Sequence, residues 1–451
     1  MEDTIAAIVT SSSIASVGII RISGKNTFEI IEKIFEPINN INKIEQQKMR
    51  YGHIIYNNEV IDEVLVSYFI SPISFTKENV CEINCHGGPV ILNKILDIVL
   101  QNGARMAEPG EFTKRAFLNG RIDLTQAEAV IDVINSKTEK SLNQAQKQLN
   151  GGLKKKINEI EDVVLDILAD IEANIDYPEY DVEEVSNNKL ISNLDIIHNK
   201  LINLEKSFEK GKILKDGINI AIIGKPNVGK SSILNALLGE ERAIVTNVKG
   251  TTRDTIEEYI NIKGIPVKIV DTAGIRDSND IVEKIGIEKS MQAFNIADVI
   301  LAVFDASEEL DEEDGNILCK LDNKKTIILL NKVDLDKKIN INELNNKDYL
   351  YVSVKENIGI EELEDRIFNI CNLDNVAGDN DVILVNIRHK NIVSKSIKQL
   401  KDIYEDINKN TPIDIISIKI MEILNLLGEI TGKTVTDEII SKIFSKFCLG
   451  K

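Results

Sequence analysis

Short apolar runs bounded by turn-forming residues open the chain. Gly18–Ile22, Val60–Phe69 and Val80–Asn84 read as strands, and Val90–Gln101 repeats its apolar residues at helical spacing. Residues 1–118 therefore predict a compact α+β domain. From about Leu124 the period lengthens. Gln126–Asn150 and Leu153–Ile175 read as helices broken at Gly151-Gly152, and Asn187–Leu214 as another beyond the loop Asp176–Asp181. Residues 216–375 change character again, with buried-strand runs at Ile218–Ile223, Val267–Val270 and Thr326–Leu330 and a helix at Ser232–Leu238. Helices return at Lys390–Ile407, Pro412–Leu427 and Thr436–Phe447. A helical domain in two parts, 119–215 and 376–451, split by an inserted α/β domain at 216–375, explains this layout, because a domain's ends are exposed and close together.

The inserted domain carries the clearest chemistry. Gly224-Lys225-Pro226-Asn227-Val228-Gly229-Lys230-Ser231, followed by Ser232, has the phosphate-binding P-loop spacing between a strand and a helix. Its glycines let backbone N–H groups close around phosphates at a helix N-terminus. Lys230 is expected to reach the β- and γ-phosphates, and the Ser231 hydroxyl to ligate Mg²⁺. A second strand leads into Asp271-Thr272-Ala273-Gly274, where Asp271 is expected to hold Mg²⁺ through water and the Gly274 N–H to sense the γ-phosphate. A third leads into Asn331-Lys332-Val333-Asp334. The Asp334 carboxylate can accept both the ring N–H and the exocyclic amine of guanine, a pair adenine does not offer. Tyr351–Val354 then brings Ser353 and Lys355 towards the base. These elements in this order predict an inserted P-loop, Ras-like G domain specific for GTP.

Thr246, Asn247, Val248, Lys249, Gly250, Thr251 and Thr252 stand where a mobile switch segment belongs, with Thr252 expected as a second hydroxyl ligand of Mg²⁺. Ile275 occupies the place where many GTPases keep a water-orienting glutamine, and no arginine stands in an obvious intrinsic finger position. Two readings of Asn227 stay open: its amide oxygen ligates K⁺ beside the phosphates, or it only shapes the loop. In the first, carbonyls of Thr246, Val248 and Thr251 complete the shell and the cation replaces an arginine finger.

Composition narrows the setting. A formal net charge of −18 opposes non-specific nucleic-acid binding, so an RNA partner needs a local basic patch such as Lys147 with Lys154, Lys155 and Lys156, unless that run is a solvated helix face. Five scattered cysteines fit a reducing cytoplasm. The N-terminus shows no basic region ahead of an apolar run, and apolar runs such as Val299–Phe304 are too short to cross a bilayer, so no membrane role is expected. Cys81, Cys85 and His86 lie close together but lack a second ligand pair for zinc.

Motifs outside the G domain carry a family likeness along essentially the whole chain. They are Gly18–Gly24, His86-Gly87-Gly88-Pro89, Pro109–Asn119, Asp123–Ala129 and the terminal Cys448-Leu449-Gly450-Lys451. With the nucleotide motifs they make the chain resemble the tRNA uridine-modification GTPases called MnmE or TrmE. That resemblance implies a G domain inserted in a discontinuous helical domain behind a folate-binding N-terminal domain. It also implies K⁺-stimulated GTP hydrolysis, a homodimer, and work with a flavin-dependent (MnmG/GidA-like) partner on C5 of a tRNA wobble uridine. A 5,10-methylene or 5-formyl tetrahydrofolate is the implied one-carbon source, bound by Arg21, Glu82, Arg121 and Lys451. Glu283 is the implied water-positioning residue, joining Lys230 and Asn227 in catalysis. Cys85 stands where the family usually has glycine. The chemistry suits a folate, since Glu82 can accept the adjacent pterin N–H and amino groups and basic side chains suit its carboxylates; a plain Arg21–Glu82 ion pair between strands is the alternative. A ribosome-assembly switch GTPase, or a scaffold that only binds GTP, are the competing functions.

Overall fold

The structure, a computed structural model, describes residues 3–11, 13–38, 46, 48–176, 187–244, 259–270, 294–321, 324–344, 348–370, 382–448 and 450. It divides into two compact units: residues 1–131, 148–194 and 398–451 form one, and 132–147 with 195–397 the other.

In the first unit β1 (Ile5–Ile8), β2 (Val17–Ser23), α1 (Thr27–Ile34), β3 (Phe35–Pro37), β4 (Met49–Tyr56), β5 (Glu59–Phe69), β6 (Val80–His86), α2 (Pro89–Gln101), β7 (Arg105–Met106) and α3 (Glu111–Leu118) follow one another. The sheet order is β3-β4-β5-β6-β2-β1-β7, antiparallel except where β7 runs parallel to β1. Period-two alternation decides which residues go inside. Ile20 and Ile22 of β2 and Cys81, Ile83 and Cys85 of β6 pack with Ile30, Ile31, Leu92, Ile95 and Val99 of α1 and α2. The interleaved Arg21 and Glu82 turn to the other side, opposite each other in the β2–β6 register.

The helices α4 (Leu124–Asn135), α5 (Glu139–Leu149), α6 (Gly152–Asp176) and α7 (Asn187–Asp216) come next. The single helix expected over Gln126–Asn150 is two helices. Residues 136–138 break it, and the Ser136 hydroxyl donates to the Asp132 carbonyl, closing the end of α4.

In the second unit β8 (Ile218–Ile223), α8 (Lys230–Arg242), β9 (Ala243–Ile244), β10 (Tyr259–Ile262), β11 (Ile265–Val270), β12 (Val299–Asp305), α9 (Glu312–Lys320), β13 (Thr326–Asn331), β14 (Tyr349–Tyr351) and α10 (Ile360–Ile370) build the α/β layer. The sheet order is β14-β13-β12-β8-β11-β10-β9. The five strands from β14 to β11 are parallel, while β10 pairs antiparallel with both β11 and β9. Apolar residues cover both faces: Ile220, Ile222, Leu301 and Val303 on one, Ala221, Ile300, Ala302 and Phe304 on the other. A parallel strand buried on both sides needs a continuous apolar sequence, and all seven residues of β12 are buried. Because β8 lies between β11 and β12, the chain leaves its end at a switch in strand order, where α/β sheets open a ligand crevice.

The chain ends in α11 (Ile387–Asn408), α12 (Ile413–Thr431) and α13 (Asp437–Phe444). In the first unit α12 packs along α6, and Phe444 and Phe447 pack with Leu124 and Ala127. No described helix is long and apolar enough to cross a membrane.

Candidate nucleotide site and a charged cluster on the N-terminal sheet

The loop after β8 has its shape forced by three residues with positive φ. Gly224 (φ +151°) lies against β12 so closely that a Cβ there would sit 2.3 Å from the Val303 carbonyl oxygen. Asn227 has φ +64°, a conformation asparagine tolerates better than most residues. Gly229 has φ +98°, and a Cβ there would sit 2.1 Å from Asn331 Nδ2. The loop then feeds directly into α8, whose free N–H groups begin at Lys230. The Lys230 ammonium donates to the carbonyls of Gly224 (2.8 Å) and Lys225 (2.6 Å), which stretches it across the loop. Burial lowers its proton affinity, with Glu313 opposing. Lys225 faces the other way: its ammonium contacts Asp311 (2.8 Å) and Asp314 (2.7 Å), the capping box at the start of α9. Ser231 and Ser232, in the first turn of α8, are exposed.

The end of β13 meets this loop. Asn331 Nδ2 donates to the Val228 carbonyl at 2.8 Å in a buried bond. Three residues on, Asp334 Oδ1 accepts from the Ser353 hydroxyl at 2.7 Å. That bond, then a backbone N–H, then the charges of Lys355 and Lys332, hold the Asp334 carboxyl below its usual value. At neutral pH it is an ionised acceptor pair, the state that guanine's two adjacent N–H donors require. Lys332 has φ +64° and its ammonium lies 2.5 Å from Asp305 Oδ2, at the end of β12. The structure thus brings together Asn227, Val228, Gly229, Lys230, Ser231, Asn331, Lys332, Asp334, Ser353 and Lys355. Thr246 to Thr252, Asp271 to Gly274 and Glu283 lie outside the described residues, as does Lys451.

In the other unit, Arg21 and Glu82 form an ion pair across adjacent strands. Nε and an Nη of Arg21 each lie 2.8 Å from Glu82 Oε1, which leaves the second carboxylate oxygen as an acceptor. The Arg21 guanidinium also lies 5.6 Å from the ring centres of both Phe75 and Phe112, and Arg121 lies 4.7 Å from Phe75. Cys448 and Gly450 return here: the Gly110 N–H donates to the Cys448 carbonyl, and Gly450 lies against Ile8 and Val9. Ile8 follows Ala7, which pairs with Arg21 in the β1–β2 register. Two positive groups, one carboxylate and an aromatic ring in one cluster suit an anionic ligand with a flat ring.

Beside it lies a buried network. Arg115 is fully buried and contacts Asp3 (2.8 Å), Glu78 (3.1 Å) and Glu111 (3.0 Å), while Arg105 takes Glu111 at 2.6 Å. This accounts structurally for Pro109–Asn119, since Glu111 and Arg115 share one face of α3 four residues apart. Cys81 and Cys85 point into the core, where burial pushes the Cys85 thiol up to about 11 and Cys81 higher still, while His86 is exposed. Strand alternation separates them, and the described residues contain no cluster of His, Cys, Asp or Glu fit for a metal ion. Phe75 and Asp305 carry no sequence expectation, and Phe112 only a place in the motif Pro109–Asn119. An acidic residue closing the apolar run Val299–Phe304 was the one available signal for Asp305.

Residues 4–121 match the family described as GTP-binding protein TrmE N-terminus, and residues 124–448 the MnmE helical domain. Among curated relatives, the tRNA modification GTPase MnmE of Acetivibrio thermocellus is 50% identical, the alignment covering 100% of this chain and 99% of that one. That of Finegoldia magna is 48% identical over 100% of both chains. That of Clostridioides difficile strain 630 is also 48% identical over 100% of both. With a P-loop G domain inserted between two stretches of helix behind an α+β N-terminal sheet, this chain belongs to the MnmE (TrmE) family and is a GTP hydrolase.

Proposed function

We propose that the chain is a K⁺-stimulated GTP hydrolase acting, as a cytoplasmic homodimer, with a flavin-dependent partner on C5 of the wobble uridine of certain tRNAs. The product is an aminomethyl or carboxymethylaminomethyl group, and a reduced folate is the one-carbon source. The observation that carries this reading is that a single chain holds both a guanine-nucleotide site and the Arg21–Glu82–Arg121 cluster around Phe75.

In the nucleotide site Lys230 and the first N–H groups of α8 bind the phosphates, and Asp334 with Ser353 and Lys355 binds the base. Switch residues Thr246, Asn247, Val248, Lys249, Gly250, Thr251 and Thr252 and the stretch Asp271, Thr272, Ala273, Gly274 are assigned contact with the γ-phosphate side, and Glu283 the positioning of the attacking water. Mg²⁺, held by Ser231 and Thr252, supplies charge neutralisation on the phosphates. K⁺, held by Asn227 with Thr246, Val248 and Thr251, supplies the positive charge an arginine finger provides elsewhere. Asn227 fits that role because its side chain is exposed on a positive-φ turn of the loop. Arg21, Glu82, Arg121 and Lys451 are assigned to the folate: Glu82 orients the pterin and the basic groups take the carboxylates.

The nucleoside profile of tRNA from cells lacking this chain tests the reading. Loss of the C5-modified wobble uridines is expected; an unaltered profile would leave a GTPase whose biological substrate lies elsewhere, as a ribosome-assembly factor's does.

A further inference from the structure

We infer that Asp305 is a positioning residue for guanine recognition, holding Lys332 and, through it, the Asn331–Asp334 turn in the shape that presents the Asp334 carboxylate. The inference rests on the guanine-binding reading of Asp334 and adds to it the group that fixes its geometry.

Each polar side chain of the turn is tied to a different element. Asn331 reaches the P-loop through the Val228 carbonyl, and Asp334 reaches Ser353 beyond β14. Lys332 reaches Asp305 at the end of β12. The middle tie matters most, because Lys332 is the residue in the left-handed region, at φ +64°. A lysine there persists only when its surroundings hold it. The surroundings are asymmetric: the Lys332 side chain is 34% exposed, whereas that of Asp305 is 5% exposed. Asp305 is itself fixed, its Oδ1 accepting from the Ser307 backbone N–H (2.9 Å) and hydroxyl (2.7 Å), with Oδ2 left for the lysine. Its main chain is locked as well, since Asp305 pairs with Asn331 in the β12–β13 register and the Ala306 N–H donates to the Asn331 carbonyl at 2.8 Å. Burial raises the Asp305 carboxyl, but Lys332 and Ser307 outweigh it and keep it ionised. A fixed anion on a rigid strand end therefore sets the lysine on the neighbouring strand end, one residue past the bond to the P-loop.

The test compares fluorescent GDP and GTP binding with steady-state turnover in the full-length protein. Asp305→Asn keeps size and the Ser307 bonds but removes the charge; dissociation constants for both nucleotides should rise about tenfold, as for a charged hydrogen bond, and KM should follow while kcat holds within about twofold. The double variant Asp305→Asn/Lys332→Met should bind no more weakly than the weaker single variant, because both act through one contact. Ser307→Ala, which frees one side of the carboxylate, should weaken binding about threefold, and decides the matter alone if Asp305→Asn loses its cooperative thermal transition. Unchanged affinity in the folded Asp305→Asn protein overturns the inference, as do independent, multiplying effects in the double variant. Asp334→Asn separates the two levels. If it leaves the preference for GTP over ATP intact, the guanine reading itself fails; if it removes that preference while Asp305→Asn binds like wild type, only the role of Asp305 fails.

Discussion

A left-handed backbone at Asn227 shapes how the cation reading must be tested. Replacing Asn227 with alanine removes the amide but also forces a Cβ-bearing residue without local hydrogen bonding into φ +64°, a strain of about 1–2 kcal/mol. Asn227→Gly removes the same ligand and accepts the same backbone. The expected outcome is turnover that no longer differs between K⁺ and Na⁺ buffers, with GDP affinity within about threefold of wild type. Stimulation that survives in the glycine variant assigns Asn227 to loop shape alone. Glu283→Ala makes a complementary prediction at the water: turnover at saturating GTP falls at least about tenfold while nucleotide affinity holds, as expected for a group acting only in the transition state. An unchanged rate removes Glu283 from the mechanism.

At the scale of elements, the P-loop and the Asn331–Asp334 turn behave as one object. Gly229→Ala would place a Cβ 2.1 Å from Asn331 Nδ2 and strain φ +98°. The strain costs about 1–2 kcal/mol, and losing the Asn331–Val228 bond about 1 kcal/mol more. GDP affinity should drop at least about thirtyfold in a fluorescence titration, without loss of the folded state by circular dichroism. The N-terminal network makes a different kind of prediction. Arg115→Met takes the fully buried cation from Asp3, Glu78 and Glu111, leaving Glu111 with Arg105 alone, and should cost about 2–3 kcal/mol in denaturant unfolding of that unit. The pH dependence follows from Glu111. Burial pushes its carboxyl up, but bonds from Arg105, the Glu108 N–H and Arg115 leave it below its ordinary 4.5. A group depressed in the folded state stabilises above its unfolded value and loses that contribution as pH falls through the folded one. Wild-type stability should therefore fall on acidification below about pH 4.5, and Arg115→Met should flatten that fall.

Elements of this kind were unevenly legible in the sequence. Ile218–Ile223, Thr326–Asn331 and the helix from Pro89 carry their own signal, because a buried parallel strand or an amphipathic helix writes its period into consecutive residues. The nucleotide loop was legible because its chemistry demands fixed spacing. The short edge strands β3, β7 and β9 were not, since two or three residues hold no period. Nor was the break at 136–138, where polar residues fit a helix and a cap equally well. The partners of Arg115 and of Lys332 were invisible for another reason: Asp3 and Arg115 are 112 positions apart and Asp305 and Lys332 are 27, and pairing at such separations is decided by topology. Arg21 with Glu82 was named from a likeness, and the structure adds the reason they meet, the β2–β6 register.

For the whole molecule, the arrangement of the chain ends bears on the folate reading. Cys448 and Gly450 return to the sheet on which the chain began: the Cys448 carbonyl takes the Gly110 N–H, and Gly450, at φ +89°, fits against the Ile8 carbonyl where a Cβ would meet oxygen at 2.6 Å. A segment more than four hundred residues from Arg21 in sequence is thereby delivered to the strand beside it. If Lys451 supplies a charge to a folate carboxylate, deleting residues 448–451 should weaken binding of 5-formyltetrahydrofolate at least about tenfold by calorimetry, the scale of a single charge-assisted hydrogen bond. GTP turnover should be unaltered, because no residue assigned to the nucleotide is removed. Lys451→Ala distinguishes charge from docking: it keeps the Cys448 and Gly450 contacts, so an equal drop in affinity assigns the effect to the ammonium. Full affinity in the alanine variant with weakened binding in the deletion assigns it instead to the backbone seat of the tail. Full affinity in both removes the chain terminus from the folate site altogether, leaving Arg21, Glu82 and Arg121 to hold the ligand alone.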